Sequence, residues 1–229
     1  LVGSEMCIRD SLFTGSTQNG QKVMESASKS LVPITLELGG KSPVIMDDNC
    51  DLSTSATRIM RGKTMNAGQI CIAPDYMMMP KGKVNEFIEE SEKAISYMFP
   101  DIKYNENYTS IVNEKHFERI NHLIDDAKEK GAEIRTINPA DEDFEQQEGH
   151  KIPPTFVINP TDDMKIMQEE IFGPVLPIKE YDNIEETIDY VNSNPRPLAL
   201  YYFGKNKDSE EKILNRTTSG GAAINDVVW

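Results

Sequence analysis

The sequence is short of cysteine, of histidine and of basic residues, and each shortage removes a class of function. Cys7, Cys50 and Cys71 form no C-x-x-C pair and are odd in number. A disulfide scaffold is therefore not expected, and a reducing compartment, the cytoplasm, is. His116, His122 and His150 have no zinc-site spacing with those thiols, so no metal site is expected. Basic residues number 24 against 38 acidic ones, a net charge of −14, which repels phosphates and argues against nucleic acid and anionic membranes as partners. No apolar run approaches a membrane span, and no leader-like stretch opens the chain.

What is present suits a globular protein. The 229 residues are 38% hydrophobic and 27% charged, enough for one large domain or one and a half ordinary ones. Residues 1–11 show no clear period and are expected to be a loop or a segment foreign to the fold. Leu12-Phe13-Thr14 reads as a strand, Gly15-Ser16-Thr17-Gln18-Asn19-Gly20 as a turn, and Val23, Ala27 and Leu31 as one helical stripe ended by Pro33. Such a turn aims backbone N–H groups at an anion, or is simply a connection from strand to helix.

Ile34–Leu38 alternates with Glu37 on the polar side, and Gly39-Gly40 frees the chain after it. Glu37 is either a solvated edge residue or a base aimed into a cleft. Asp51 caps a helix whose buried stripe is Leu52, Ala56, Ile59, Met60 and Lys63. Cys50 reads as a packing cysteine. Gly68 ends that helix and brings in Cys71, which is either a small buried hydrophobe or a thiol with room for a substrate beside it.

Tyr76–Met79 resumes a strand, and its methionines read as core. Amphipathic helices follow at Val84–Met98 and Phe117–Ala127, and the acidic residues within 138–151 read as a solvated loop. Gly173-Pro174 forces a turn that exposes Glu169, Glu170 and Phe172 ahead of a strand at Val175–Lys179. Strands and helices go on alternating to Ala222-Ala223-Ile224. The expected fold class is α/β, doubly wound, with a mostly parallel sheet. The chain begins within a strand–helix unit and stops straight after a strand, so both ends are expected to be cut.

Four motifs stand in one order: Phe13-Thr14-Gly15-Ser16-Thr17 with Gly20, Leu36-Glu37-Leu38-Gly39-Gly40-Lys41, Gly68-Gln69-Ile70-Cys71, and Glu169-Glu170-Ile171-Phe172-Gly173-Pro174. With them the chain resembles the aldehyde dehydrogenase superfamily over residues 12–229. Asn66–Tyr76, Arg196–Tyr201, Ser219-Gly220-Gly221 and Ile224-Asn225-Asp226 are similar to its fatty/aromatic branch, and within it to the coniferyl aldehyde dehydrogenase-like group.

The resemblance implies that 12–39 close a dinucleotide-binding domain and that 40–229 form most of a catalytic domain. It implies oxidation of a small-molecule aldehyde to an acid with NAD or NADP. Cys71 would be the nucleophile and Glu37 the base that activates water. Gly15, Ser16 and Gly20 would meet the cofactor pyrophosphate, Glu170 its nicotinamide ribose, and Phe172 would sit beside Glu170. A homodimer is implied for a full-length parent. An upstream lysine and asparagine of the family would precede residue 12, so the piece alone is expected to be inactive or poorly folded. Two other readings keep the fold: a non-catalytic structural member, and a relative that passes its acyl group to coenzyme A.

Overall fold

The computed structural model describes residues 10–145, 147 and 149–228. Cys7 and the greater part of the segment read as foreign lie outside them. The chain divides into two compact units, residues 1–39 and 40–229.

In the first unit β1 (Ser11–Gly15) and β2 (Ile34–Leu38) pair in parallel, joined by α1 (Thr17–Ser28). Ser11, inside the segment read as foreign, begins β1 and faces Ile34. The Ser16 side chain caps α1, accepting from the Asn19 N–H at 3.4 Å. The helix ends sooner than the stripe predicts. Leu31 lies outside it, at φ 52 and 89% exposed. The Val32 N–H reaches Ala27 O at 3.1 Å and the Leu31 N–H reaches Ser28 O at 3.2 Å. That pair of bonds is a Schellman cap with leucine in the left-handed place glycine usually takes. The helix therefore stops by its own cap, ahead of Pro33.

The second unit holds a seven-stranded sheet. Its strands are β3 (Pro43–Met46), β4 (Tyr76–Pro80), β5 (Glu133–Thr136), β6 (Thr155–Ile158), β7 (Val175–Tyr181), β8 (Ala199–Phe203) and β9 (Gly221–Ile224). The order is β5-β6-β7-β4-β3-β8-β9, parallel except for the antiparallel edge strand β5. Helices α2 (Leu52–Thr64), α3 (Val84–Met98), α4 (Glu114–Glu129), α5 (Lys165–Gln168), α6 (Ile184–Ser193) and α7 (Lys207–Arg216) connect them. The alternation of strand side chains builds a core on each face. Val44, Met46, Met77, Met79, Tyr201 and Phe203 pack with Ile59 of α2 and Phe87 of α3. On the other face, Met78 and Val157 pack with Ile120 and Leu123 of α4, while Ile45, Leu200 and Tyr202 pack with Ile188 and Ile213. The methionine run is thus core, split between the two faces.

The acidic insert is a loop with Asp141, Asp143 and Glu145 exposed, as its composition predicts, and among its described acids it departs from that reading at Glu142 alone. The Glu142 carboxylate accepts the N–H groups of Ile102 at 2.7 Å and Lys103 at 3.0 Å. Asn138 brackets Glu142 from its other side, at 2.8 and 3.0 Å. One acid in the run therefore satisfies two backbone donors that burial would otherwise leave unpaired. Among the described residues no helix is long and apolar enough to cross a membrane, and no group of three metal-binding side chains gathers.

Candidate active site

Four loops of the second unit enter neighbouring parallel strands. Lys41-Ser42 leads into β3, Pro74-Asp75 into β4, Gly173-Pro174 into β7 and Leu198 into β8. Parallel strands bring all four to one rim, which is why motifs about a hundred residues apart meet. It is the rim at the strands' N-terminal ends, opposite to the one where open α/β sheets usually bind ligands.

Cys71 lies on this rim and is exposed. After α2 a 3-10 turn, Met65–Gly68, carries three successive left-handed residues: Asn66 at φ 50, Ala67 at φ 52 and Gly68 at φ 74. That backbone reversal turns the thiol out of the core. Gly68 is required twice over. Its φ favours glycine, and a Cβ there would stand 2.3 Å from the Gly173 carbonyl oxygen. The thiol turn and the Glu169–Gly173 turn are thus in backbone contact. The Gln69 amide ties the same turn to the entrance of α4, donating to Ser110 O at 3.0 Å and accepting from the Val112 N–H at 2.9 Å.

Charged side chains from three elements hold the turn that carries Glu170. Asp75 accepts from the Ile171 N–H at 2.8 Å and pairs with the Lys41 ammonium. Lys41 also donates to Ile166 O at 2.8 Å and Glu169 O at 2.9 Å. Arg119 of α4 donates to Glu170 O at 3.2 Å and to Ile171 O. Glu170 is half-buried rather than exposed, as is Phe172, which sits in the left-handed region at φ 48. Burial pushes the Glu170 carboxyl up to about 7, with Asp75 adding to the effect and the Gly40 backbone, Lys41 and Arg119 opposing it. Beneath the rim Lys63 is wholly buried and donates to Pro74 O at 2.7 Å. Burial pulls its ammonium down to about 8 against the attraction of Asp75.

In the first unit Glu37 is exposed on β2, where its partner across the ladder is Thr14. Gly15 ends β1 and Ser16 caps α1, whose first turn holds no acidic residue. Gly20 is buried within α1, where a Cβ would come 2.7 Å from Leu38 Cδ2. Its observed contact is therefore the close seating of α1 on β2.

The motifs contain Lys41, Gln69, Asp75 and Tyr201 but give them no role, and Arg119 stands outside every motif. Lys63 was legible as an anomaly, a lysine in register with an apolar stripe. Arg119 carried no such signal, because an arginine on an amphipathic helix looks like a solvated one.

The model of the aldehyde dehydrogenase family matches residues 4–229, taking in residues 4–11 ahead of the quoted motifs. A probable coniferyl aldehyde dehydrogenase of Caulobacter vibrioides is 54% identical over 218 residues, covering 95% of this chain and 45% of that protein. The dimeric NADP-preferring aldehyde dehydrogenase of Rattus norvegicus is 40% identical over 218 residues, 95% of this chain and 46% of that protein. Among solved structures, the substrate-bound state of Staphylococcus aureus AldH is similar with a TM-score of 0.88 and 37% identity, over 96% of this chain and 46% of that one. The chain spans less than half the length of each.

Proposed function

The chain belongs to the aldehyde dehydrogenase family, and from that premise we propose that it supplies the thiol, the base and part of the cofactor site of an enzyme oxidising an aldehyde to a carboxylic acid. The thiolate of Cys71 bonds to the carbonyl carbon, and the Cys71 backbone N–H donates to the oxygen as it gains charge. NAD or NADP, when bound, supplies the two-electron acceptor that the change from aldehyde to acid requires. At the acyl stage Glu37 takes a proton from water, the water oxygen bonds to the carbonyl carbon, and the carbon–sulfur bond breaks to return the thiolate.

The residues present fit a dinucleotide. The N-terminus of α1, following Gly15 and Ser16 and free of acid in its first turn, suits a pyrophosphate. Gly20 serves the same element by seating it closely on β2. Glu170, half-buried and with its carboxyl moved towards neutrality, suits a ribose hydroxyl, with Phe172 beside it. By the chain's likeness to the probable coniferyl aldehyde dehydrogenase of Caulobacter the proposed substrate is an aromatic aldehyde of the coniferyl kind, and by its likeness to the dimeric rat enzyme the proposed assembly is a homodimer. The cytoplasm is the proposed location.

One observation carries the reading: an exposed thiol on a sharply reversed turn that is locked against the Glu170 turn by backbone contact and against the entrance of α4 by Gln69. The test is a chimera in which this chain's 218 matched residues replace their counterpart in the Caulobacter relative. Coniferyl aldehyde should drive steady NADH or NADPH formation, Cys71→Ser should abolish it, and Glu37→Gln should leave one burst and little turnover. A folded chimera that Cys71→Ser leaves unchanged would overturn the assignment.

A further inference from the structure

We propose that Tyr201 is a positioning residue for Cys71, its hydroxyl tying the carbonyl next to the thiol to the segment that follows β9. The proposal rests on Cys71 being the nucleophile. Tyr201 stands in the middle of β8 with its side chain on the α2 face of the sheet, and it is 2% exposed. Its hydroxyl donates to Ile72 O at 2.6 Å and accepts from the Val228 N–H at 3.3 Å. Burial pushes that hydroxyl up to about 12, so it stays a neutral donor through the physiological range, and the Cys71 thiol lies within its electrostatic reach.

The two ends of this bridge differ in rigidity. On one side is a turn closed by a single backbone bond around the thiol, from the Ala73 N–H to Ile70 O at 2.9 Å. Its carbonyls at Ile72 and Pro74 are pinned by Tyr201 and Lys63, from β8 and α2. On the other side is an anchored segment. The Asn225 N–H reaches Tyr202 O at 2.7 Å, and the Asn225 amide exchanges bonds of 2.9 and 3.0 Å with Gly204. Val227 is buried in the notch that Gly62 leaves in α2, where a Cβ would come 2.3 Å from Val227 Cγ2. The hydroxyl thus hangs a lightly closed turn from a firm support. A phenylalanine would fill the same space and lose both bonds.

The test is Tyr201→Phe in the full 229-residue chain, followed by NMR and amide exchange. The Ile72 carbonyl carbon should move upfield on losing its donor. The Ala73 amide should exchange about fivefold faster, the factor that one net hydrogen bond provides, while the amides of β3 and β4 keep their rates. A simple packing role would leave the Ile72 resonance and the Ala73 rate at their wild-type values, and that result overturns the proposal. In the wild type the Tyr201 hydroxyl proton should exchange slowly, and fast exchange overturns the proposal without any variant. None of these three readouts needs turnover, so a folded chimera without Cys71-dependent activity would reject the enzymatic reading separately.

Discussion

Removing Asp75 tests the physical account of the rim most directly. Its side chain is 4% exposed and that of its partner Lys41 is 17% exposed. In Asp75→Ala two groups lose their partner at once: the Lys41 ammonium and the Ile171 N–H, which now has its acceptor at 2.8 Å. Stripping one member from a buried ion pair costs about 3–5 kcal/mol, and an orphaned buried amide costs about 1–3 kcal/mol. Lys41 keeps its bonds to Ile166 O and Glu169 O, which offset part of this. We expect a loss of about 4 kcal/mol for Asp75→Ala, and about 2 kcal/mol for Asp75→Asn, which retains an acceptor for Ile171. The assay is urea unfolding followed by circular dichroism, run as a double-mutant cycle with Lys41→Ala. The coupling energy should be about 2–3 kcal/mol. Additivity to within about 0.5 kcal/mol would mean that the pair is incidental and that the account of the rim is wrong.

Two further outcomes follow from the two turns on this rim. Glu170 has its carboxyl raised from an ordinary 4.5 to about 7. The folded chain therefore binds a proton that the unfolded chain has already released, and stability from this group falls as pH rises from 4.5 to about 7. After allowance for solvent still reaching the side chain, about 2 kcal/mol is lost across that window. Glu170→Gln should flatten this part of the stability–pH curve, and an identical slope in the two proteins would refute the shift. Gly68→Ala forces a Cβ into the left-handed region at φ 74, against backbone that cannot swing away. It should cost about 3 kcal/mol or more in the same urea assay, and a loss below about 1 kcal/mol would show that the turn gives way easily.

The sequence by itself determined the order of the strands and of the longer helices, though not the four-residue α5, because strand and helix periods are local properties of the chain. It determined that the methionine run is core and that Asp51 starts a helix, since both rest on near neighbours. It also brought Glu37, Cys71 and Glu170 forward through their motifs. It misjudged the end of α1, where a leucine takes a left-handed cap position that composition assigns to glycine. It read the acidic insert rightly as exposed loop except at Glu142, which finds two amides about forty residues away in the chain. Only the tertiary structure decided which charges matter at the rim. Lys41, Asp75 and Arg119 come from different elements, and no spacing rule joins them, because their common target is the backbone of a fourth segment. Parallel strand order brought those segments to one edge, and burial then turned ordinary surface residue types into fixed, paired groups.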